Sequence, residues 1–127
     1  MSVNKRKEIV EKYIGAYNAF DVDGIVQLLQ RDIRFRNYSG GEKNAETNGI
    51  DEFKQLAQRS AQLFSSRRQT ITEYTETGDQ VEVKIQYEAV LAADLSEQLK
   101  AGDRLQIAGK SVFEFDQGKI ARIDDYS

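Results

Sequence analysis

The stretch Leu105–Ser127, LQIAGKSVFEFDQGKIARIDDYS, decides how the chain is read. It forms two strands folded back on each other around Asp116-Gln117-Gly118. Side chains alternate sides along a strand, so Leu105, Ile107, Ser111, Phe113 and Phe115 share one face of the first. Ala121, Ile123 and Asp125 share one face of the second. Each apolar face therefore carries a polar residue, Ser111 on one strand and Asp125 on the other. A carboxylate on a face of Ile and Ala is costly to bury without a partner, which makes Asp125 the first candidate for chemistry. Two fates fit it. The acid sits solvated near a strand end or pairs with Arg122 or an arginine on the first strand. Otherwise it lies in an apolar cup, its pKa raised by desolvation, ready to act as a base or acceptor.

Upstream, Val81, Val83, Ile85, Tyr87, Ala89 and Leu91 alternate with Glu82, Lys84, Gln86 and Glu88, a half-buried strand with Tyr87 on its inner side. Gly78-Asp79 turns it back onto a β-rich run from Thr70 to Thr77. Between the two long C-terminal units, Ala92–Asp103 reads as an excursion with one helical turn, closed by Gly102. A helix is expected over Ile50–Phe64, with Phe53, Leu56, Ala57 and Leu63 on its buried stripe and Asn48 as its N-cap.

Asp32–Tyr38 alternates again, and Asn37 takes the parity of Ile33 and Phe35. Ser39–Asn48 is a Gly- and Asn-rich loop with room for a short hairpin. The chain starts with two helices, Asn4–Phe20 and Gly24–Gln30, joined by an acidic turn in which Asp21 or Asp23 caps the second. Tyr13 and Tyr17 lie on the apolar stripe of the first, with Ile9, Ala16 and Phe20. This order of elements predicts one α+β domain over 1–127, its helices packed on one face of a curved, mostly antiparallel sheet.

Composition narrows the chemistry. The 127 residues carry 18 Lys and Arg against 21 Asp and Glu, a formal net charge of −3, and no clustered basic face of the kind nucleic acid requires. Arg67-Arg68 and Lys5-Arg6-Lys7 read as solvated element ends. No stretch approaches transmembrane length and the N-terminus has no apolar signal-peptide run, so neither a membrane partner nor export is expected. The sequence has no Cys and no His. The first rules out a disulfide framework and fits a cytoplasmic location; the second removes the commonest general base and metal ligand. Any catalysis must run on Asp, Glu, Tyr, Lys, Ser or Thr, and no metal or cofactor is expected.

Two segments carry a family likeness: Tyr13–Leu29, YIGAYNAFDVDGIVQLL, and Phe113–Ile120, FEFDQGKI, leading into Asp125-Tyr126. Both resemble the nuclear transport factor 2-like superfamily, in particular its SnoaL-like, polyketide-cyclase-like and ketosteroid-isomerase-like members. The resemblance implies a cystatin-like, cone-shaped half-barrel with three helices over a strongly bent sheet, a pocket at the open end, and a homodimer. It also implies roles. Tyr13 matches the helix-one tyrosine that stabilises an oxyanion in ketosteroid isomerases. Their general-base aspartate falls at Asn37 and their second oxyanion-hole acid near Ser111. An amide takes no proton at neutral pH, so steroid isomerisation is disfavoured.

Limonene-epoxide-hydrolase-like members are similar in another way. Asn37 matches their first-strand asparagine, Phe35 stands where they have tyrosine, and Asp125-Tyr126 resembles their last-strand acid. Their central-strand Arg-x-Asp pair has no match in Lys84–Val90. The expectation is a pocket for a small, mostly apolar carbonyl or hydroxyl compound, with Asp125 as base and Tyr13, Tyr17, Asn37, Tyr87 and Ser111 around the ligand. Any enzyme built this way is a cofactor-independent isomerase, cyclase or hydrolase. The alternative is a non-catalytic dimerisation or assembly module. An open apolar cavity reached by Asp125 favours the pocket; a cup filled by Phe and Tyr favours the module.

Overall fold

Helical spacing of apolar residues in the first quarter of the chain and period-two alternation later produce the elements seen in the computed structural model, which describes residues 3–127 and side chains from residue 5 onward. They are α1 (Val3–Asn18), α2 (Val22–Val26), β1 (Leu29–Ser39), β2 (Glu42–Asn48), α3 (Ile50–Ala61), β3 (Phe64–Thr77), β4 (Gln80–Leu91), β5 (Arg104–Asp116) and β6 (Lys119–Tyr126). The strands form one mixed six-stranded sheet in the order β2-β1-β6-β5-β4-β3. All neighbours are antiparallel except β1 and β6, which run parallel. The fold is α+β, a curved half-barrel with helices on its concave side.

The core lies between those layers. Val10 and Tyr13 of α1, Ile25 of α2 and Phe53 of α3 pack against Val83, Phe113 and Ile123 of the sheet. Tyr13 meets the Phe113 ring edge-on at 5.2 Å, and Phe53 meets Phe35 at 5.6 Å. Gly15 faces solvent in the last turn of α1, and a Cβ there would touch nothing within 4 Å. Helical glycine costs stability through chain entropy, so Gly15→Ala is expected to raise stability by roughly 0.5–1 kcal/mol in chemical denaturation.

Several boundaries differ from the sequence reading. The second helix is shorter and earlier than Gly24–Gln30: the Asp21 carboxylate accepts from the Gly24 amide at 2.9 Å and starts it, and Leu29 and Gln30 already belong to β1. The Ser39–Asn48 segment forms the hairpin for which the sequence leaves room, extended into a full strand, with Gly40 and Gly41 at positive φ making the turn. Asn48 does not cap α3. Gly49 holds that position at φ 89°, and the Glu52 carboxylate reaches back to accept from the Asn48 amide at 2.9 Å. Phe64 starts β3, six residues before the expected strand. No helical turn forms between Ala92 and Asp103, because side chains take the amides instead: Ser96 Oγ accepts from Leu99, Asp94 from Ala101 and Asp103 from Lys100.

The most consequential difference is in β6. Phe115 pairs with Ile120 and Glu114 with Arg122, so Ala121 is the extra residue of a β-bulge. The bulge turns Ile120 inward, where it is fully buried, and leaves Ile123 and Asp125 with the inward parity expected of them.

Candidate functional site

Strand register brings the polar residues of the inner face into one row. Asn37 of β1 is the sheet neighbour of Asp125 of β6, Asp125 of Ser111 of β5, and Ser111 of Val83 of β4. Ser111 Oγ donates to Asp125 Oδ1 at 2.6 Å, a short charge-assisted bond. Burial pushes the Asp125 carboxyl up to about 6; the Ser111 bond works against that rise and the neighbouring Asp124 charge adds to it. Asn37 spends its amide N–H on Asn44 Oδ1 of β2, at 2.8 Å, and is half-buried.

The arginine pairing open to Asp125 is taken by its neighbour. Alternation sends Asp124 to the other face, where its carboxylate accepts from Arg36 Nε at 2.9 Å and Nη2 at 3.1 Å, with Arg122 Nε at 3.2 Å. Two adjacent acids on β6 thus have opposite surroundings. Asp124 is held by arginines; Asp125 has a serine and an apolar wall.

That wall bounds a cavity of about 360 Å³, within the range of small-molecule sites. Ile25, Phe35, Phe53, Leu56, Phe64 and Ile85 supply its apolar lining, and Ile107 and Tyr126 are partly exposed on it. Tyr13, Tyr17, Asn37, Tyr87, Ser111 and Asp125 all line it, so the fold brings together every site residue expected from the sequence. Tyr13 is buried, and its phenol is held protonated chiefly by desolvation and secondarily by the Asp125 charge. Tyr17 and Tyr87 share a hydroxyl–hydroxyl bond of 3.0 Å; burial raises the pKa of both.

Arg67 corrects the sequence reading. The sequence reads it as a solvated element end; instead it is 5% exposed and lines the cavity. β3 begins early enough to turn Arg67 and Gln69 inward, on the parity of Ile71. Arg67 Nε donates to the Tyr17 carbonyl at 2.8 Å, at the C-terminal end of α1 where the helix dipole favours a cation. Its guanidinium lies 3.8 Å over the Tyr17 ring and 4.5 Å from that of Phe20. Arg6 is also half-buried, beside Glu76 at 3.9 Å and Asp79 at 3.4 Å. Among the described residues, no group of acidic side chains is arranged to hold a metal ion.

Similarity to known proteins agrees with this architecture. No protein of curated function matches the chain in sequence. A protein from Jannaschia sp. described as a SnoaL-like polyketide cyclase superposes with a TM-score of 0.82 at 14% identity, over 98% of this chain and 88% of that one. A Catenulispora acidiphila protein of ketosteroid isomerase-like fold, solved in complex with trimethylamine, gives 0.77 at 16% identity, over 94% and 85%. An epoxide hydrolase of Mycobacterium tuberculosis, similar to limonene epoxide hydrolase, gives 0.75 at 21% identity, over 97% and 82%. At these identities the likeness concerns the fold. The family model for the SnoaL-like domain matches residues 10–123, from the first helix to the last strand, and the chain therefore belongs to the SnoaL-like family of the nuclear transport factor 2-like superfamily.

Proposed function

We propose that this protein takes a small, largely apolar carbonyl or hydroxyl compound into the cavity and that Asp125 exchanges a proton with it, as in an acid–base isomerase or cyclase. One observation carries the reading: among the described residues a carboxyl group on an apolar cavity wall has a single serine as its side-chain hydrogen-bond partner, and burial pushes it up to about 6. A base poised near neutrality suits proton transfer at physiological pH. In the step proposed, the Asp125 carboxylate takes a proton from the carbon beside a carbonyl. The C–H electrons move to the carbonyl oxygen as an enolate, which the protonated Tyr13 hydroxyl stabilises by donation; the proton then returns to carbon. Asn37 has the place of the usual isomerase base and serves to orient the ligand. Similar folds described as a polyketide cyclase and an epoxide hydrolase support a pocket devoted to small apolar molecules.

The test uses 2-tetralone, an apolar ketone with an activated C–H, followed by NMR for hydrogen–deuterium exchange. Exchange is expected to run faster with the protein than in buffer and to rise with pH through about 6, where Asp125 loses its proton. An Asp125→Asn variant that exchanges as fast as the wild type would remove this carboxylate from the mechanism.

A further inference from the structure

Arg67 presents a problem that the proton-transfer reading does not use. Its charge is almost entirely removed from solvent, yet among the described residues it joins no ion pair. Burying a guanidinium is costly unless its charge and donors are met. The helix end and two aromatic faces meet part of that cost. The guanidinium carries five N–H donors, of which Nε–H goes to Tyr17, while the side chain as a whole borders the cavity. The unmet capacity is that of an arginine waiting for an anion.

A second observation lies two residues along the same strand face. Gln69 also lines the cavity, and its Oε1 is buried with no hydrogen-bond partner among the described residues. Its main chain is fixed from both sides by the Asn18 side chain: Gln69 N–H donates to Asn18 Oδ1 at 2.7 Å, and Asn18 Nδ2 donates to the Gln69 carbonyl at 3.1 Å. A buried acceptor left unsatisfied is rare and costly, so its place beside an unpaired cation on a cavity wall calls for a ligand. An anion for Arg67 and a hydrogen-bond donor for Gln69 are the two features the wall lacks.

We propose that this end of the cavity binds the carboxylate of an apolar hydroxy acid, the acid on Arg67 and its hydroxyl donating to Gln69 Oε1. The inference rests on the small-molecule pocket described above and names its ligand class. A planar carboxylate matches the guanidinium fork, and such charge-assisted pairs are about twice as strong as neutral ones. The cavity then has two poles: Arg67 and Gln69 fix the head group, and Asp125 faces the body of the molecule. Tyr13 stands between their fields, since the Asp125 charge raises its pKa and the Arg67 charge lowers it.

Fluorescence titration at pH 7.5 with 2-naphthylglycolate, 2-naphthylacetate and 2-naphthaleneethanol separates the contributions. The glycolate is expected to bind best, the acetate a few-fold less well, and the neutral alcohol about tenfold below the acetate. Arg67→Gln should weaken both acids about tenfold and leave the alcohol within about twofold, whereas Gln69→Leu should erase only the advantage of glycolate over acetate. Should Arg67→Gln fail to fold, as a thermal melt would reveal, the wild-type ranking and Gln69→Leu decide alone. An alcohol that binds as tightly as the acids overturns the anionic pole and leaves the pocket standing. Failure of all three compounds to bind overturns the pocket with it.

Discussion

Asp125→Asn is expected to lose about a hundredfold or more in ketone proton exchange, the usual contribution of a positioned general base, while gaining stability above pH 7. The stability gain follows from the same burial that tunes the base. A folded-state pKa of about 6 against 3.8 for an ordinary aspartate means that the native state holds this proton more tightly than the unfolded chain does. Stability linked to Asp125 is therefore complete below about pH 4 and is lost as pH rises through 6. Moving a carboxyl that far corresponds to about 3 kcal/mol at pH 8. Asparagine keeps an oxygen for the Ser111 hydroxyl and never ionises. The variant should match the wild type at pH 4 and exceed it by about 2–3 kcal/mol at pH 8, read from paired denaturant curves. Equal stability of the two proteins at pH 8 would place Asp125 in a solvated setting and end its case as a desolvated base.

Gly109→Val should cost about 3 kcal/mol and disturb the cavity, although valine is a better strand residue than glycine. Gly109 sits on the inner face of β5, where the end of β6 crosses it; a Cβ would run into the Tyr126 carbonyl, well inside contact distance. The obstacle is backbone, and it has nowhere to retreat. Ser127 N–H donates to the Tyr38 carbonyl at 3.0 Å, Gly40 N–H donates to the Ser127 carbonyl at 3.1 Å, and the Tyr126 and Tyr38 rings stack at 5.0 Å. Displacing Tyr126 also moves Asp125, the residue before it. Thermal melts should show a large loss for Gly109→Val and a small gain for Gly15→Ala, since only the first glycine has a main chain against it. A neutral or stabilising Gly109→Val would mean that the β6 end is not held as described.

How far the site could be read in advance depended on whether alternation was intact. Ser111, Phe113 and Asp125 lie on uninterrupted strand segments, so parity alone turned them inward. Ala121 could not be placed that way, because Ile120 and Ala121 are both apolar and a bulge leaves no mark in a run of such residues. Arg67 was missed for a different reason. Two adjacent arginines look like surface, and a strand taken to begin at Thr70 has no inner face at position 67. The available signal was parity with Ile71, which becomes visible only when the strand is extended back to Phe64. The cap of α3 was equally hidden: Asn48 is a good capping type, but Gly49 supplies the positive φ that the helix entry takes. Tertiary constraint, rather than local preference, decided each of these positions.

The insertion of β6 between β1 and β5 has a consequence for how the molecule assembles. Without that strand, β1 and β2 share no ladder with β3, β4 and β5, and the sheet is two separate pieces. Its parallel partner lies some ninety positions upstream, Asn37 opposite Asp125, so closing the ladder requires a long loop to be gathered at entropic cost. During synthesis the two pieces cannot join until β6 has left the ribosome. Asp125 rides on that strand, so the cavity wall that carries it is complete only once β6 has docked between its two neighbours.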